Sequence, residues 1–202
     1  MKHIFQKLDL LSPEEFAFII SYKDALVNKG GEGGIRIDEQ GEIYIETDIR
    51  HVYQGSVLNY QLTIEGFEPY FGKPFCNLME RTRDQLTENG SVNPRPYSVR
   101  CYRNNDNITW HRHTPPIPLP PALKGIKLKN MWVTLYYMHP NWNTNSGGDL
   151  KIGLTEDEHL FIAPCYSNSL VVHNMYYGHM VDNLIKNYEG NRDLFLSHWV
   201  CD

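Results

Sequence analysis

His111 and His113 stand one residue apart, His179 lies far downstream, and Arg192 opens an apolar run beyond it. Two histidines at i and i+2 on an extended segment project from the same face, because side chains alternate along a strand. A third histidine, distant in sequence, can close a mononuclear metal site on that face, since imidazole suits iron, zinc, copper and nickel. The chemistry these residues predict is therefore a metal centre held by His111, His113 and His179.

Such a centre needs rigid elements around it. Ser12-Pro13-Glu14-Glu15 is a helix start, with a serine cap, proline at the first helical position and Glu15 completing a capping box. Phe16, Ile19, Ile20 and Leu26 then share a face, which predicts an amphipathic helix over 13–28. Lys29-Gly30-Gly31-Glu32-Gly33-Gly34 breaks it, and without GK[ST] or GxGxxG spacing this reads as a connection, not a phosphate loop. Ile35, Ile37, Ile43 and Ile45 alternate with polar residues around Asp38-Glu39-Gln40-Gly41, as in a β-hairpin. A second helix is predicted over 73–88, with Phe75, Leu78, Met79 and Leu86 inward and Asn89-Gly90 as its left-handed stop.

From Tyr97 onward the pattern becomes strands: 97–102, 108–111, 132–138, 150–152, 159–162, 169–173 and 192–200. Short strands at this spacing argue a jelly-roll or cupin-like barrel. The predicted class is α+β, a double-stranded β-helix with N-terminal supporting helices. One domain spans 1–202, with 1–96 as helical and hairpin support and 97–202 as the barrel core. Pro115-Pro116-Ile117-Pro118-Leu119-Pro120-Pro121 reads as a stiff connection on the barrel rim beside the His111–His113 pair.

Composition narrows the function classes. A chain of 202 residues can bury a real core without disulfides. Its net charge of -5 gives no electrostatic footprint for nucleic acid or an anionic membrane, and no apolar run approaches the ~20 residues of a membrane helix. Cys76, Cys101, Cys165 and Cys201 form no CxxC pair, so reduced thiols are expected and structural zinc is not. Met1–Lys7 lacks the apolar core of a signal peptide, so the acceptor-like Asn89-Gly90-Ser91 and Asn107-Ile108-Thr109 are read as chance and the location as cytoplasmic.

Six pieces in order carry a family resemblance. They are Val99-Arg100-Cys101-Tyr102-Arg103-Asn104-Asn105, Trp110-His111-Arg112-His113-Thr114, Val133-Thr134-Leu135-Tyr136-Tyr137-Met138, the Ser146-Gly147-Gly148-Asp149-Leu150 corner, the run from Asn168 to His179-Met180-Val181, and the closing run from Arg192 to Trp199. Over residues 97–202 the chain resembles the prolyl hydroxylase branch of the iron(II)/2-oxoglutarate oxygenases. The resemblance implies Fe(II) as the metal, with His111 and His179 as neutral imidazole ligands. It implies 2-oxoglutarate and O2 as co-substrates, with Arg192 clamping the distal carboxylate, a task for a planar, bidentate, permanently charged group. It further implies Tyr137 as a phenol donor to that carboxylate and Tyr102 as a lining residue. His198 shares the parity of Arg192 and is expected to face the cavity, with Trp199 turned away unless a bulge shifts the register.

The departures matter as much. His113 stands where that family has a carboxylate, and a second register would set Pro115 at the carboxylate position instead. The gap from His179 to Arg192 is long, suggesting an inserted loop around 183–189. Imidazole in place of carboxylate leaves the dication's full charge, which favours an anionic ligand, disfavours oxidised iron and admits copper, nickel or zinc. A solitary histidine is more often a surface or hydrogen-bonded core residue, and His3, His51, His139, His159, His173 and His198 take that reading. His173, six residues before His179, is the one that could substitute as a ligand, and Asp149 is the nearest spare carboxylate in the pattern. The implied activity is hydroxylation of an unactivated C–H bond in a protein side chain or small molecule. Two competitors remain: a three-histidine cupin-type dioxygenase that does not use 2-oxoglutarate, and an inactive barrel acting as a binding module.

Overall fold

Ser12 caps the first helix as its sequence predicts. In this computed structural model the Ser12 hydroxyl accepts the Glu15 N–H at 3.2 Å, and the Ser12 N–H donates to the Glu15 carboxylate at 2.9 Å. The structure describes residues 3–29, 33–37, 43–47, 54–58, 63–103, 108–112, 125–140, 142, 146–182 and 192–202. His113, His51, the 38–42 turn, Asn107, the proline-rich 115–121 segment and the 183–189 insertion lie outside the described residues.

The elements run β1 (Ile4–Lys7), α1 (Pro13–Lys29), β2 (Gly33–Ile37), β3 (Ile43–Thr47), β4 (Gln54–Leu58), α2 (Glu68–Phe71), α3 (Lys73–Glu88), β5 (Arg95–Arg103), β6 (Ile108–His111), β7 (Met131–Tyr137), β8 (Leu150–Gly153), β9 (His159–Ala163), β10 (Ser169–Asn174), β11 (Gly178–Val181) and β12 (Asp193–Val200). Two antiparallel sheets form the barrel. The major sheet has the order β1-β10-β7-β12-β5-β4 and the minor sheet β6-β11-β8-β9, while β2 and β3 pair separately. The β2–β3 register sets Ile35 opposite Ile45 and Ile37 opposite Ile43, the predicted hairpin, with Gly33 and Gly34 already in the strand. Two of the six major strands, β1 and β4, come from the stretch that the sequence assigned to support.

Every residue of β7 is buried, as a central strand covered on both faces requires, and six of its seven residues are apolar or aromatic, Thr134 being the exception. Alternate residues feed two cores. Trp132 and Tyr136 of β7 and Phe195 and Trp199 of β12 pack against the helices with Phe75, Leu78 and Met79 of α3. Met131, Val133, Leu135 and Tyr137, with Leu194 and Val200, fill the barrel side. Each such apolar side chain contributes about 1.5–3 kcal/mol on burial. Trp199 points away from the cavity as expected; its indole N–H donates to Ser197 and Thr134 hydroxyls at 2.9 and 3.1 Å. A register shift between His198 and Trp199 alters the pairing with β5, yet the face alternation of β12 is kept.

Gly90 closes α3 with φ 93°, and the Ser91 N–H returns to the Leu86 carbonyl at 2.9 Å. Lys23 of α1 forms a buried ion pair with Asp193 at the head of β12, tying that helix to the strand next to Arg192. All four cysteines are buried and none forms a disulfide. Among the described residues no helix is long and apolar enough to cross a membrane.

Candidate functional site

His111 closes β6 and His179 sits in β11, and the antiparallel pairing places them directly opposite each other. Residues paired this way share a face with their Cβ atoms close, and here the ring centres are 4.2 Å apart at 66°. The register slips between this pair and Val181–Ile108, so β6 carries an extra residue just before His111. Such bulges re-aim a side chain, a recurrent device beside functional sites. The Nδ1 of His111 lies 3.0 Å from the Thr109 carbonyl oxygen. That contact makes Nδ1 the protonated nitrogen and turns the Nε2 lone pair outward as a potential ligand.

Gly178 permits this approach. A Cβ there would meet Trp110 Cζ2 at 2.4 Å and Arg112 Cγ at 2.9 Å, so the β6 side chains fill the space that any side chain at 178 would need. Gly178→Ala is therefore expected to displace the Trp110 and Arg112 side chains from β11 and lower the melting temperature by several degrees. Calorimetry of the wild type and the variant checks it.

His173 of β10, fully buried on the opposing sheet, brings a third imidazole to 4.8 Å from His179 at 57°. Among the described residues no three His, Cys, Asp or Glu side chains converge as a metal-holding group. The histidines present thus offer two imidazoles suited to adjacent coordination positions, and the described residues do not supply the third.

The other pole of the inner face is charged. Arg192 is fully buried, and its guanidinium carbon lies 5.6 Å from the centre of the Tyr137 ring, itself buried. His139 stands 5.6 Å from Tyr137 and 4.6 Å from Trp142, ring centre to ring centre, extending the aromatic wall. Ser169 pairs with Tyr137 and His173 with Val133, so four residues of β10 separate the two poles, roughly 13 Å along the strand.

Burial governs the titratable groups around Arg192. It pushes the His139 imidazole down to about 4, helped by the Arg192 charge and opposed by the hydrogen bond to the Cys165 carbonyl. Burial raises the Cys165 thiol to about 12 although Arg192 lies against it, which disfavours the reactive thiolate. It raises the Asp149 carboxyl too, where the Cys165 N–H hydrogen bond at 3.4 Å pulls the other way. Asp149 thus serves its corner.

A histidine whose folded value is depressed loses stability as pH falls, because the unfolded chain takes up the proton first. For His139, facing Arg192, Asp193, Lys23 and Cys165, the loss begins near pH 6.5 and is complete near pH 4, on the order of 3 kcal/mol. Denaturant midpoints across that window should fall in the wild type and fall less in His139→Gln.

Tyr102 stands on β5 opposite Leu194 and Gln54, its side chain outside the described set. His198 is half-buried against Tyr97, ring centres 5.7 Å apart, six residues along β12 from Arg192, which is roughly 20 Å. The structure thus brings His111 to His179 and Arg192 to Tyr137, while His198 pairs with Val133 of β7, the residue that His173 pairs with from the other side. Sequence reasoning left His139 as a surface or hydrogen-bonded core histidine; it is the latter, with Nε2 donating to the Cys165 carbonyl at 3.0 Å. Its place beside Tyr137 was signalled by the two-residue spacing, which puts both on one face of an extended chain.

No protein-family model and no curated protein matches the sequence. Solved structures do match over nearly the whole chain. A prolyl hydroxylase from Trichoplax adhaerens, solved with a hypoxia-inducible-factor peptide, superposes with TM-score 0.63 at 14% identity, covering 100% of this chain and 84% of that one. A non-heme α-ketoglutarate-dependent carbocyclase from nogalamycin biosynthesis gives 0.62 at 13%, covering 98% and 79%. The fold is that of the 2OG-Fe(II) oxygenases. A Pseudomonas putida prolyl-4-hydroxylase shares this double-stranded β-helix with TM-score 0.59 at 13% identity, over 99% of this chain and 93% of that one. Identities this low attach to the fold, and the chemistry must be argued from the residues.

Proposed function

We propose that this chain is a metal-dependent 2-oxoglutarate oxygenase that hydroxylates a C–H bond of a protein side chain or a small molecule. The observation that carries the reading is the two-pole inner face: paired imidazoles His111 and His179 at one end, a fully buried guanidinium over Tyr137 at the other. A dicarboxylate plus the reach of an arginine side chain spans such a separation. In this reading His111, His113 and His179 hold Fe(II), an all-imidazole set. When bound, the iron supplies the redox chemistry that couples decarboxylation of 2-oxoglutarate to succinate and carbon dioxide with oxidation of the substrate.

The chain's own residues bind and orient. Arg192 keeps its charge at any working pH and presents a planar fork to the distal carboxylate. Tyr137 adds a phenol donor, and Tyr102, opposite Leu194 on β5, is assigned to the same pocket from its place in the sequence pattern. His139, neutral over the physiological range, adds no second cation beside Arg192. Met131, Val133 and Leu135 line the interior with apolar surface and exclude water. We read the protein as cytoplasmic, its buried thiols suited to a reducing compartment.

Succinate formation tests this reading. Purified chain with Fe(II), ascorbate, 2-oxoglutarate and oxygen is expected to release succinate slowly without added substrate, and His111→Ala is expected to abolish the release. Oxygen consumption that ignores 2-oxoglutarate would favour a three-histidine dioxygenase of another class.

A further inference from the structure

We propose that the helical layer carries a second binding site: a trough between α1 and α3 that takes a medium-chain alkyl carboxylate. The site does not depend on the metal reading. Its floor residues Ile19 and Leu78 belong to the core that holds Phe195 and Trp199, on the opposite face of the major sheet from Leu194 and Tyr137. Three observations carry the proposal.

The first is the space. A cavity of about 510 Å³ opens between the two helices, walled by Leu11, Phe18, Ile19, Tyr22, Pro74 and Leu78. Small-molecule sites run from roughly 300 to 1,000 Å³ and are mostly apolar, with a few polar groups that fix orientation. α1 supplies one wall because it is apolar on two sides. Ile19 and Lys23 are buried, while Phe18 and Tyr22, four residues apart, stack along the outer side with ring centres 6.3 Å apart at 29°. Phe18 remains 59% exposed, which leaves a face of its ring to cover a ligand.

The second is the shape. The two helices run antiparallel: Arg81 meets Glu15 at 2.8 Å, and the Tyr22 ring centre lies 5.9 Å from that of Phe75. The trough therefore runs from the Glu15–Arg81 ion pair to Tyr22 and Lys73, seven helical residues or roughly 10 Å. Gly72 lets the Tyr22 hydroxyl lie against the chain at that end, where any Cβ would collide with it. Such a trough has the length of a medium alkyl chain laid end to end.

The third is charge. The chain carries a net charge of -5, yet the lining holds Lys73 and Arg81 against Glu15 alone. Arg81 and Glu15 pair with each other at one end, which leaves Lys73 as the cation at the other. Its partner Glu68 stands 4.0 Å away with both groups exposed, a contact worth little in water. The ammonium is thus able to turn onto a carboxylate head, and Asn77 adds an amide to the lining. An apolar body ending in one negative charge complements this arrangement, and a cationic head does not.

Calorimetric titrations of the full chain with decanoate, decanol and decylammonium, all below their micelle concentrations, test the assignment. Decanoate is expected to bind saturably with one molecule per chain, and decanol and decylammonium more weakly. Lys73→Gln should cost decanoate about three- to fivefold, the worth of one exposed ion pair, and leave decanol unchanged. Phe18→Asp puts a carboxylate on the apolar wall, and Asn77→Trp fills the trough from α3. Both positions are exposed, so unchanged melting temperatures are expected, with decanoate affinity down about tenfold or more in each. Absence of saturable decanoate binding to wild type overturns the proposal. So does decanoate affinity unchanged in both wall variants, or decylammonium bound as tightly as decanoate. Sedimentation velocity of the ligand-free protein adds the last arm: a dimer that Phe18→Asp turns into monomer would give the trough to a second copy and refute the carboxylate.

Discussion

Arg192→Ala should raise the dissociation constant for 2-oxoglutarate by about two to three orders of magnitude while leaving metal binding nearly unchanged. The guanidinium is fully buried over Tyr137, where a charge-assisted, bidentate contact to a carboxylate is screened little by solvent. Truncating one partner of a buried charge pair costs about 2–5 kcal/mol, and each 1.4 kcal/mol is about a factor of ten. Arg192→Lys keeps the charge and loses the fork, so its affinity should fall between the two. Calorimetric titration of the Co(II)-loaded protein with 2-oxoglutarate measures all three. Equal affinity in wild type and Arg192→Ala contradicts the carboxylate role.

Lys23→Met should cost about 3–5 kcal/mol of folding stability, a large share of the 5–15 kcal/mol of an ordinary domain. Lys23 and Asp193 are both nearly inaccessible, and removing the ammonium takes a charge partner from a buried carboxylate. The double variant Lys23→Met/Asp193→Leu should recover most of that loss, because a well-packed apolar pair avoids the desolvation of both ions. Asp193 precedes Leu194 on the strand that carries Tyr137's pairing partner, and its carbonyl accepts the Met138 N–H at 2.9 Å. A single-variant loss therefore also loosens the backbone beside Arg192, and 2-oxoglutarate affinity should fall with stability. Urea denaturation of the single and double variants checks both parts. A double variant as unstable as the single would mean the charge is not what matters.

Legibility of the fold tracked element length and cap chemistry. α1 and α3 announce themselves through Ser12-Pro13, the Asn89-Gly90 stop and their apolar spacing, and both ends fall within two residues of expectation. β7 and β12, at seven and eight residues, are long enough for β-branched and aromatic content to speak. Three strands left no such mark. β1 is four residues, β4 begins Gln54-Gly55, and β11 is only Gly178-His179-Met180-Val181. Each owes its strand character to the neighbour it pairs with, which periodicity over a few residues does not reveal. β11 is the instructive case, because the strand beneath His179 is what sets that histidine opposite His111.

The proximity of His111 to His179 and of Arg192 to Tyr137 was foreseen from the order of these residues in the chain; the roles proposed for them rest on that reading. His139 and the bulge before His111 depend on packing across sheets, and nothing in residue type alone distinguishes His139 from an ordinary core histidine. His173 was singled out only by its nearness in sequence to His179. His113 itself lies outside the described residues, so its reading as a ligand rests on the sequence pattern alone.

The central claim is that one inner face holds a metal at the paired histidines and a dicarboxylate at Arg192 together. Anaerobic addition of Fe(II) and then 2-oxoglutarate to the purified protein tests it directly. A visible metal-to-ligand charge-transfer band should appear only when both are present and should vanish in His111→Ala. No band from a protein shown to hold iron would contradict it.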